Sequence, residues 1–451
     1  MSLYRKIEKK LKEWLNSNYA LLLVGARQVG KTFALKKFIS DNFENSYYLN
    51  LFENVQAIKT IINANDTDDF ILRLSALSTN DLVEGCCIFI DEIQEYYTYL
   101  SKHPEIEEYF DLITGIKFLV EKNKYRIVYS GSLLRLEIEN IISNPVGYVL
   151  PLEMYPLDFE EFLIANSINK NLIEIVKNAY TEKKPVPEYI HNMFIDLFYK
   201  YLLVGGMPNA VSEYIDKNSF SAVENAHKTI DYFIRQDITK YSSIDEKLKI
   251  KEIYNLVPTE LNSMSKRFIA SHISGHKKND NESLSFTWLN NAGVTIPVYV
   301  ASEPAIPLKA TSKRNSLKLF HEDVGILTYL LLDAQSKTSL LNKEVDINYG
   351  AVFENVVAQL LYAHGFSDLY FYNSKKNGEV DFLIEQNGKV LPIEVKSGKA
   401  YDRHRGINNI MAIDNYHIEQ GYVLYGDNYK HEGKLHYMPI YFVEFIRNRS
   451  L

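Results

Sequence analysis

An eight-residue stretch near the N-terminus places two glycines, a lysine and a threonine at the spacing G-x-x-x-x-G-K-[ST]. The apolar run Tyr19–Val24 precedes it, and Phe33–Ile39 carries apolar residues at helical spacing after it. A buried strand leading through a glycine-rich loop into a helix directs backbone N–H groups at an anion. The pattern predicts a phosphate loop, and a chance match in an ordinary strand–loop–helix is the alternative. The residues of this loop are Gly25, Ala26, Arg27, Gln28, Val29, Gly30, Lys31 and Thr32.

Four of these residues have distinct expected roles. Gly25 and Gly30 allow the backbone conformations and the close approach that the loop needs. Lys31 is expected to reach the β- and γ-phosphates of a nucleotide, and the Thr32 hydroxyl is expected to ligate Mg²⁺.

A second signal is the apolar run Cys86–Ile90, which ends in Asp91 and Glu92. In a phosphate-loop site we expect Asp91 to hold Mg²⁺, directly or through a water. Glu92 is expected to orient and deprotonate the attacking water. A strand that ends at a solvated loop is the alternative interpretation.

Another apolar run, Tyr125–Tyr129, ends in Ser130-Gly-Ser132 and is read as an extra strand of the same sheet. A polar residue at this strand end is expected to sense the γ-phosphate, and we favour Ser132 over Ser130, with a plain turn as the alternative. Adenine is expected rather than guanine, because no guanine-reading N-K-x-D motif is evident. Arg135 and Arg235 are candidates for an arginine that acts in trans.

The distal part of the chain contains a hairpin over residues 379–396. Asn387-Gly388 is a strong signal for a two-residue type I′ turn. The register set by that turn predicts Asp381 opposite Glu394 and Glu379 opposite Lys396, all on one face. The opposite face is predicted to be apolar and to consist of Val380, Phe382, Ile384, Leu391, Ile393 and Val395.

Two facing carboxylates repel unless a cation lies between them. A divalent metal such as Mg²⁺ would satisfy Asp381 and Glu394, with Glu354 from the preceding helix completing the site. Lys396 could then orient a water or neutralise a developing phosphorane. A polar hairpin face that is merely solvated is the alternative.

Composition limits the classes of function. The 451 residues carry 50 basic and 57 acidic side chains, a formal charge of −7, so any binding to nucleic acid must come from local patches. Apolar runs are too short to span a bilayer, and residues 1–10 lack a secretory apolar segment, so a cytoplasmic location is expected. The adjacent Cys86 and Cys87 are interpreted as small core residues in a reducing compartment. His272 and His276 are interpreted as surface histidines.

The order of elements predicts an α/β fold in three parts: a parallel sheet over residues 1–165, a helical region over 166–335, and an α+β domain over 336–451. Within the second part, residues 251–320 are predicted as a winged helix. Its helices would be Arg267–Ser274 and Leu284–Asn291, and its wing Val294–Phe320. Packing between domains is favoured over DNA binding for this module, although the wing has basic residues: Lys309, Lys313, Arg314 and Lys318. A second basic cluster, at 396–405, could contact phosphates or be a solvated loop.

Over nearly its full length the chain resembles a bacterial and archaeal family of AAA+ superfamily ATPases that join a P-loop domain to a C-terminal region of unknown function. The stretches that carry this resemblance are Gly25–Thr32, Ile88–Gln94, Ser130–Ser132, Tyr155–Phe162, Gly205–Pro208, Arg235–Tyr241, Gly350–Asn355, Glu379–Asp381 and Glu394–Lys396.

The resemblance implies an ATPase domain, a central winged helix and a C-terminal fold similar to PD-(D/E)xK nucleases. It matches Glu354, Asp381, Glu394 and Lys396 to the nuclease positions, although members of that fold need not cleave DNA. One departure is Tyr148 after Gly147, where the family usually carries an arginine.

The leading hypothesis is an ATPase that uses Mg²⁺ and couples hydrolysis to a DNA-related task. The second is a nucleotide-regulated module that binds a protein partner or itself through an inactive nuclease-like fold. The third is a GTPase.

Overall fold

The structure is a computed structural model that describes residues 3–78, 82–132, 147–238, 244–263, 266–273, 283–344, 348–398 and 404–448. The chain divides into two compact units. The amino-terminal unit comprises residues 5–155 with 291–293, and the carboxy-terminal unit comprises the remainder.

A parallel five-stranded sheet forms the amino-terminal unit. Its strands are β1 (Ala20–Gly25), β2 (Ser46–Asn50), β3 (Cys87–Asp91), β4 (Arg126–Gly131) and β5 (Val149–Met154). They lie in the order β2-β3-β4-β1-β5, so β4 separates the strand before the phosphate loop from the strand that ends in Asp91. The three strands predicted from the apolar runs Tyr19–Val24, Cys86–Ile90 and Tyr125–Tyr129 are confirmed as β1, β3 and β4, and β4 is the inserted strand.

Helices cover both faces of this sheet because its central strands are apolar on both sides. Along β1, Ala20 and Leu22 join one core cluster, whereas Leu21 and Leu23 join the other. The helices are α1 (Ile7–Trp14), α2 (Lys31–Asn42), α3 (Val55–Ile62), α4 (Thr67–Leu77), α5 (Gln94–Lys102) and α6 (Leu112–Lys122).

The carboxy-terminal unit begins with helices, in line with the helical region predicted from residue 166 onward. Helix breaks fall at segments that contain proline or glycine, 183–187 and 205–207. The helices are α7 (Phe159–Ala165), α8 (Lys170–Glu182), α9 (Glu188–Val204), α10 (Pro208–Lys217), α11 (Phe220–Ile238), α12 (Ile244–Asn262), α13 (Ser283–Asn291), α14 (Leu308–Thr311), α15 (Val324–Leu331), α16 (Ala334–Leu341), α17 (Gly350–Ala363) and α18 (Arg405–Met411).

An eight-stranded mixed sheet completes this unit, in the order β12-β13-β11-β10-β9-β8-β6-β7. Its strands are β6 (Thr295–Ala301), β7 (Ser312–His321), β8 (Leu369–Ser374), β9 (Gly378–Gln386), β10 (Lys389–Val395), β11 (Gly421–Tyr425), β12 (Lys430–Glu432) and β13 (Leu435–Pro439). Short 3₁₀ turns lie at Ala270–His272, Asp414–Tyr416 and Ile440–Phe445.

The winged-helix prediction is not confirmed. The strands assigned to the wing, β6 and β7, belong to the eight-stranded sheet, and β6 pairs in parallel with β8. The segment predicted as the first helix contains the 3₁₀ turn Ala270–His272 instead. Because Leu317, Lys318, Leu319 and Phe320 are all buried, β7 needs cover on both faces, which a solvent-exposed wing would not supply. The sheet therefore crosses the boundary predicted at residue 335.

The predicted hairpin is present, with positive φ at Asn387 (53°) and Gly388 (73°) as a type I′ turn requires. Its ladder runs from Gln386–Lys389 to Phe382–Ile393 in the predicted register and stops there. The expected pairings of Asp381 with Glu394 and of Glu379 with Lys396 are therefore not part of the ladder.

The predicted apolar face is wrong at Val380. A bulge in the pairing of β9 with β8 shifts the alternation, so Val380 joins the same core cluster as Leu383. Both faces of β9 are covered, and Asp381 and Glu394 are buried. The interpretation of these carboxylates as a solvated face is therefore wrong as well.

Among the described residues, no helix is long and apolar enough to cross a membrane.

Candidate functional site

The phosphate loop lies between the end of β1 and the start of α2. Gly25 has φ = 147°, and a Cβ there would lie 2.1 Å from the Met154 carbonyl oxygen, so the neighbouring strand leaves no room for a side chain. Gly30 has φ = 96° at the position before α2, a conformation that favours glycine. Both glycines are therefore required by the backbone path of the loop.

Lys31 is buried and points back into this loop. Its Nζ donates hydrogen bonds to the carbonyl oxygens of Gly25 (3.0 Å) and Ala26 (2.8 Å). Arg5 supports the loop from outside, since its Nη1 donates to the Val29 carbonyl at 2.9 Å and its Nη2 to the Tyr155 carbonyl at 2.6 Å. The loop is thus curled around its own lysine, with a second cation fixing its far side.

Asp91, at the end of β3, is only 1% exposed and accepts hydrogen bonds on both oxygens. Thr32 Oγ1 (2.8 Å) and the Tyr48 hydroxyl (3.1 Å) donate to its Oδ2. The Ser130 hydroxyl and the Glu92 amide donate to its Oδ1. The structure thus brings together Thr32 and Asp91, the two residues predicted to bind Mg²⁺.

Glu92 follows directly and has φ = 55°, an uncommon conformation for a residue with a side chain. Its carboxylate accepts a hydrogen bond from Gln94 Nε2, which also lies 3.4 Å from Ser132 Oγ. Gln94 therefore connects the predicted base, Glu92, with the predicted sensor, Ser132. Ser130 instead lies inside β4 with its hydroxyl on Asp91.

Sequence reasoning missed four residues at this site: Arg5, Tyr48, Gln94 and Gly293. Gln94 lies two residues after Glu92, at the end of the stretch Ile88–Gln94 that carries the family resemblance, and this position could have indicated a role in the site. Gly293 is distant in sequence, yet a Cβ there would lie 2.8 Å from the Cα of Ala26 in the loop. Only the folded chain reveals that contact.

Some predicted residues have other partners or fall outside the description. Arg235 donates to Asp231 (2.8 Å) and Asn255 (2.7 Å) within the carboxy-terminal unit, and Arg135 lies outside the described residues. His272 is half exposed and pairs with Glu260, in keeping with a surface histidine, whereas His276 is not described.

A second cluster of charges lies in the carboxy-terminal unit, between α17 and the sheet. Glu354, on α17, is 2% exposed and contacts two ammonium groups: Lys266 at its Oε1 and Lys318 at its Oε2, the latter at 3.3 Å. Lys318, on β7, also contacts Glu379 at 2.7 Å. We call Lys266, Lys318, Glu354 and Glu379 the lysine–carboxylate cluster.

Asp381 and Glu394 lie beside this cluster. Asp381 Oδ2 accepts the backbone amide of Val395 at 2.8 Å, and Glu394 Oε1 accepts Lys396 Nζ at 2.7 Å. Glu394 Oε2 is buried with no hydrogen-bond partner. The structure thus places the four predicted nuclease-like residues near one another and adds two lysines that were not predicted there.

The pKa values reflect this arrangement. Burial alone would raise the pKa of Glu354, but Lys318 and Lys266 outweigh burial and hold its pKa below the ordinary value. Burial would lower the pKa of Lys318, and the carboxylates of Glu354 and Glu379 raise it instead. Burial and the neighbouring carboxylates raise the pKa of Asp381 to about 6 and that of Glu394 to about 8.

A parallel sheet with an inserted strand, a loop closed on Lys31, and Asp91 beside Thr32 define a P-loop nucleotide-binding domain. Residues 17–163 match the family model of an AAA domain, so this domain is a P-loop ATPase domain of the AAA type. Two further matches are to domains of unknown function: DUF8612 over residues 195–337 and DUF4143 over residues 349–443.

An uncharacterised protein of Methanocaldococcus jannaschii is 24% identical over 393 residues, covering 85% of this chain and 76% of the relative. Among solved structures, the Walker-type ATPase of Pyrococcus abyssi is 14% identical, covers 73% of this chain and 96% of its own, and has a TM-score of 0.42. The ORC1 protein of Aeropyrum pernix in complex with DNA is 12% identical, covers 76% and 93%, and has a TM-score of 0.29.

Proposed function

We propose that this chain binds ATP and hydrolyses it with Mg²⁺ at the phosphate loop. The observation that carries the proposal is the 2.8 Å hydrogen bond from Thr32 to the buried Asp91. A hydroxyl and a carboxylate in contact are oxygen ligands of the kind that Mg²⁺ accepts in nucleotide sites. The glycines of the loop, which leave backbone N–H groups free to approach phosphate, fit the same ligand.

Each residue of the phosphate-loop site has a separate role in the proposed reaction. Lys31 would exchange its two loop carbonyl acceptors for phosphate oxygens, and Thr32 and Asp91 would hold the metal. Bound Mg²⁺ would neutralise charge on the phosphates. Glu92 would accept the proton of the attacking water, and Gln94 holds the Glu92 carboxylate in place. Ser132 would contact the γ-phosphate, and Gln94, which lies between Ser132 and Glu92, would link that contact to the position of the Glu92 carboxylate.

The task coupled to hydrolysis has two candidates. A DNA-related task follows from the resemblance of residues 336–451 to nucleases and from the proximity of Asp381, Glu394 and Lys396. A nucleotide-regulated interaction module, with a protein partner or a second copy of the chain, is favoured by the two lysines on Glu354. A reducing compartment such as the cytoplasm suits both, because the free Cys86 and Cys87 are buried.

Phosphate release from the purified full chain tests the proposal, with ATP or GTP and with Mg²⁺ or EDTA. We expect phosphate release with ATP in the presence of Mg²⁺, and no release with GTP or with EDTA. Asp91→Asn should remove most of it, whereas Asp41→Asn, at an exposed position on α2, should leave it unchanged. Equal release by Asp91→Asn and wild type would contradict the assigned metal ligand, and preference for GTP would favour the third hypothesis.

The same assay with added double-stranded DNA separates the two coupled tasks. Stimulation by DNA supports the DNA-related task. Release that is indifferent to DNA at all concentrations supports the interaction module.

A further inference from the structure

The lysine–carboxylate cluster stands where the resemblance to nucleases places a divalent metal, yet its carboxylates already have cations. Lys266 comes from the segment after α12, Lys318 from β7, Glu354 from α17 and Glu379 from β9. Four separate elements therefore converge on one network, in which Lys318 and Glu354 are buried and Lys266 and Glu379 are partly exposed. Both lysines lie in the region 195–337, outside the 349–443 match that contains the carboxylates.

Few carboxylate oxygens in this region remain for a metal. Glu354 has an ammonium on each oxygen, and Glu379 has Lys318 on one oxygen and the Asn373 amide on the other. One oxygen of Asp381 accepts a hydrogen bond from the Val395 amide, and one oxygen of Glu394 accepts a hydrogen bond from Lys396. Within the described part of the chain, six of the eight carboxylate oxygens of these four residues thus accept a hydrogen bond or ion pair.

The charge balance leaves little need for a divalent cation. Four carboxylates, on Glu354, Glu379, Asp381 and Glu394, face the ammonium groups of Lys266, Lys318 and Lys396, which leaves one net negative charge where a divalent cation would bring two positive charges. A metal bound among them would be repelled by all three ammonium groups in a region of low dielectric constant.

Lys318 is unsuited to the role of a lysine that contacts substrate. It is fully buried, its Nζ lies 5.0 Å from the ring centroid of Phe371, and it contacts two carboxylates. A phosphate group cannot reach it without opening β7. Lys396, which is partly exposed, is the lysine that matches the nuclease pattern.

We propose that Lys318 and Lys266 replace a divalent cation as internal counter-ions, so that this nuclease-like fold binds neither Mg²⁺ nor Mn²⁺ and does not hydrolyse DNA. Glu354 is then a structural residue and not a metal ligand. The inference concerns a site separate from the proposed ATPase site, and it stands or falls independently of ATP hydrolysis.

The test uses the full chain carrying Thr32→Ala and Asp91→Ala, without nucleotide, so that the phosphate loop contributes no metal binding. Mn²⁺ alone is the probe, and its free concentration is read by electron paramagnetic resonance alongside the thermal unfolding midpoint. With both lysines present we expect no bound Mn²⁺ at millimolar concentrations and no shift of the midpoint. Adding Lys318→Met should produce Mn²⁺ binding at least tenfold tighter and a midpoint that rises with Mn²⁺. The matched control is Lys313→Met, at an exposed position of the same strand, which should behave like the background.

Three outcomes overturn the proposal. The first is Mn²⁺ bound by the background protein and lost in Asp381→Asn. The second is nicking of supercoiled DNA by the background protein with Mn²⁺, abolished by Asp381→Asn. The third is a folded Lys318→Met variant without any gain in Mn²⁺ affinity.

Lys318→Met could fail to fold without a cation. Folding in Mn²⁺ but not in EDTA would then support the proposal. If it folds in neither, Lys318→Met with Glu354→Gln removes the opposite charges together and should fold and bind no Mn²⁺. In that case the test rests on the background protein with Thr32→Ala and Asp91→Ala. If that protein binds Mn²⁺ and Asp381→Asn abolishes the binding, the proposal is contradicted; if it binds no Mn²⁺, the proposal is supported.

Discussion

Asp91 and Glu354 are carboxylates with nearly the same burial, 1% and 2% exposed, in the two units of the chain. Asp91 accepts hydrogen bonds from the hydroxyls of Thr32, Tyr48 and Ser130. Glu354 accepts from the ammonium groups of Lys266 and Lys318. A neutral hydroxyl can rotate and share a metal with the carboxylate, whereas a buried ammonium carries the charge that the metal would supply. The donors around a buried carboxylate, more than its burial, therefore decide whether it suits a metal.

The phosphate-loop side of this comparison depends most on Lys31. Lys31→Ala should abolish tight ATP binding, because the phosphates lose their main cation. Isothermal titration with ATP and Mg²⁺ measures this loss. The matched control is Lys12→Ala, at an exposed position of α1, which should retain the wild-type affinity. Unchanged affinity in Lys31→Ala would show that this loop does not bind the phosphates of ATP.

Glu92 tests the assignment of the base. Glu92→Gln should keep ATP bound but slow its hydrolysis by roughly 10²–10⁴-fold, the usual contribution of a general base. Single-turnover phosphate release, compared with nucleotide affinity in the same variant, separates the two effects. Turnover at the wild-type rate would mean that another residue activates the water.

Lys318 tests the other side of the comparison through stability. Lys318→Met leaves the buried Glu354 with one cation fewer and the partly exposed Glu379 without its ion pair, and the free energy of unfolding should fall by about 3–5 kcal/mol. Chemical denaturation of the carboxy-terminal unit within the full chain measures the loss. The double variant Lys318→Met with Glu354→Gln should lose less than the sum of the single variants, since each removes the charge that the other leaves unpaired. Strict additivity would show that the pair is not coupled.

Glu394 affects the pH dependence of stability, and its effect is the smallest when taken per pH unit. Its pKa is raised to about 8 by burial and by Asp381, from an ordinary value near 4.3. The folded state therefore holds this proton more tightly than the unfolded state, and its contribution to stability falls as pH rises between about 4.3 and 8. Glu394→Gln should flatten this decline by at most about 1.4 kcal/mol per pH unit. Unfolding midpoints from pH 5 to pH 8 measure the slope, and an unchanged slope would assign the decline to other groups.

Much of the amino-terminal unit was predictable because its signals are local. The phosphate loop, the strands β1, β3 and β4 and the acidic pair after β3 each occupy a few consecutive residues, and burial on both faces makes such strands continuously apolar. The Asn387-Gly388 turn was likewise predictable, since two positive φ angles demand those residue types.

The carboxy-terminal unit was less predictable because its decisive contacts join distant segments. Lys318 was interpreted as part of a basic wing, since nothing in Leu317–Phe320 shows that α17 will bring Glu354 to it. The bulge that moves Val380 to the face of Leu383 arises from the pairing of β9 with β8 and not from the hairpin itself. The prediction of the two faces of β9 from alternating residues assumed that its strand pairing is regular.

The sequence by itself determined which residues form the loop of the proposed phosphate site, because a loop of eight residues holds its own geometry through glycine conformations and the following helix. The tertiary structure decided which charges meet. Gly293 packs against Ala26, Gln94 joins Glu92 to Ser132, and Lys318 neutralises Glu354. Electrostatic pairing depends on the distance between charges in space. That distance is set by the order of the strands in the sheet and cannot be read from the separation of two residues along the chain.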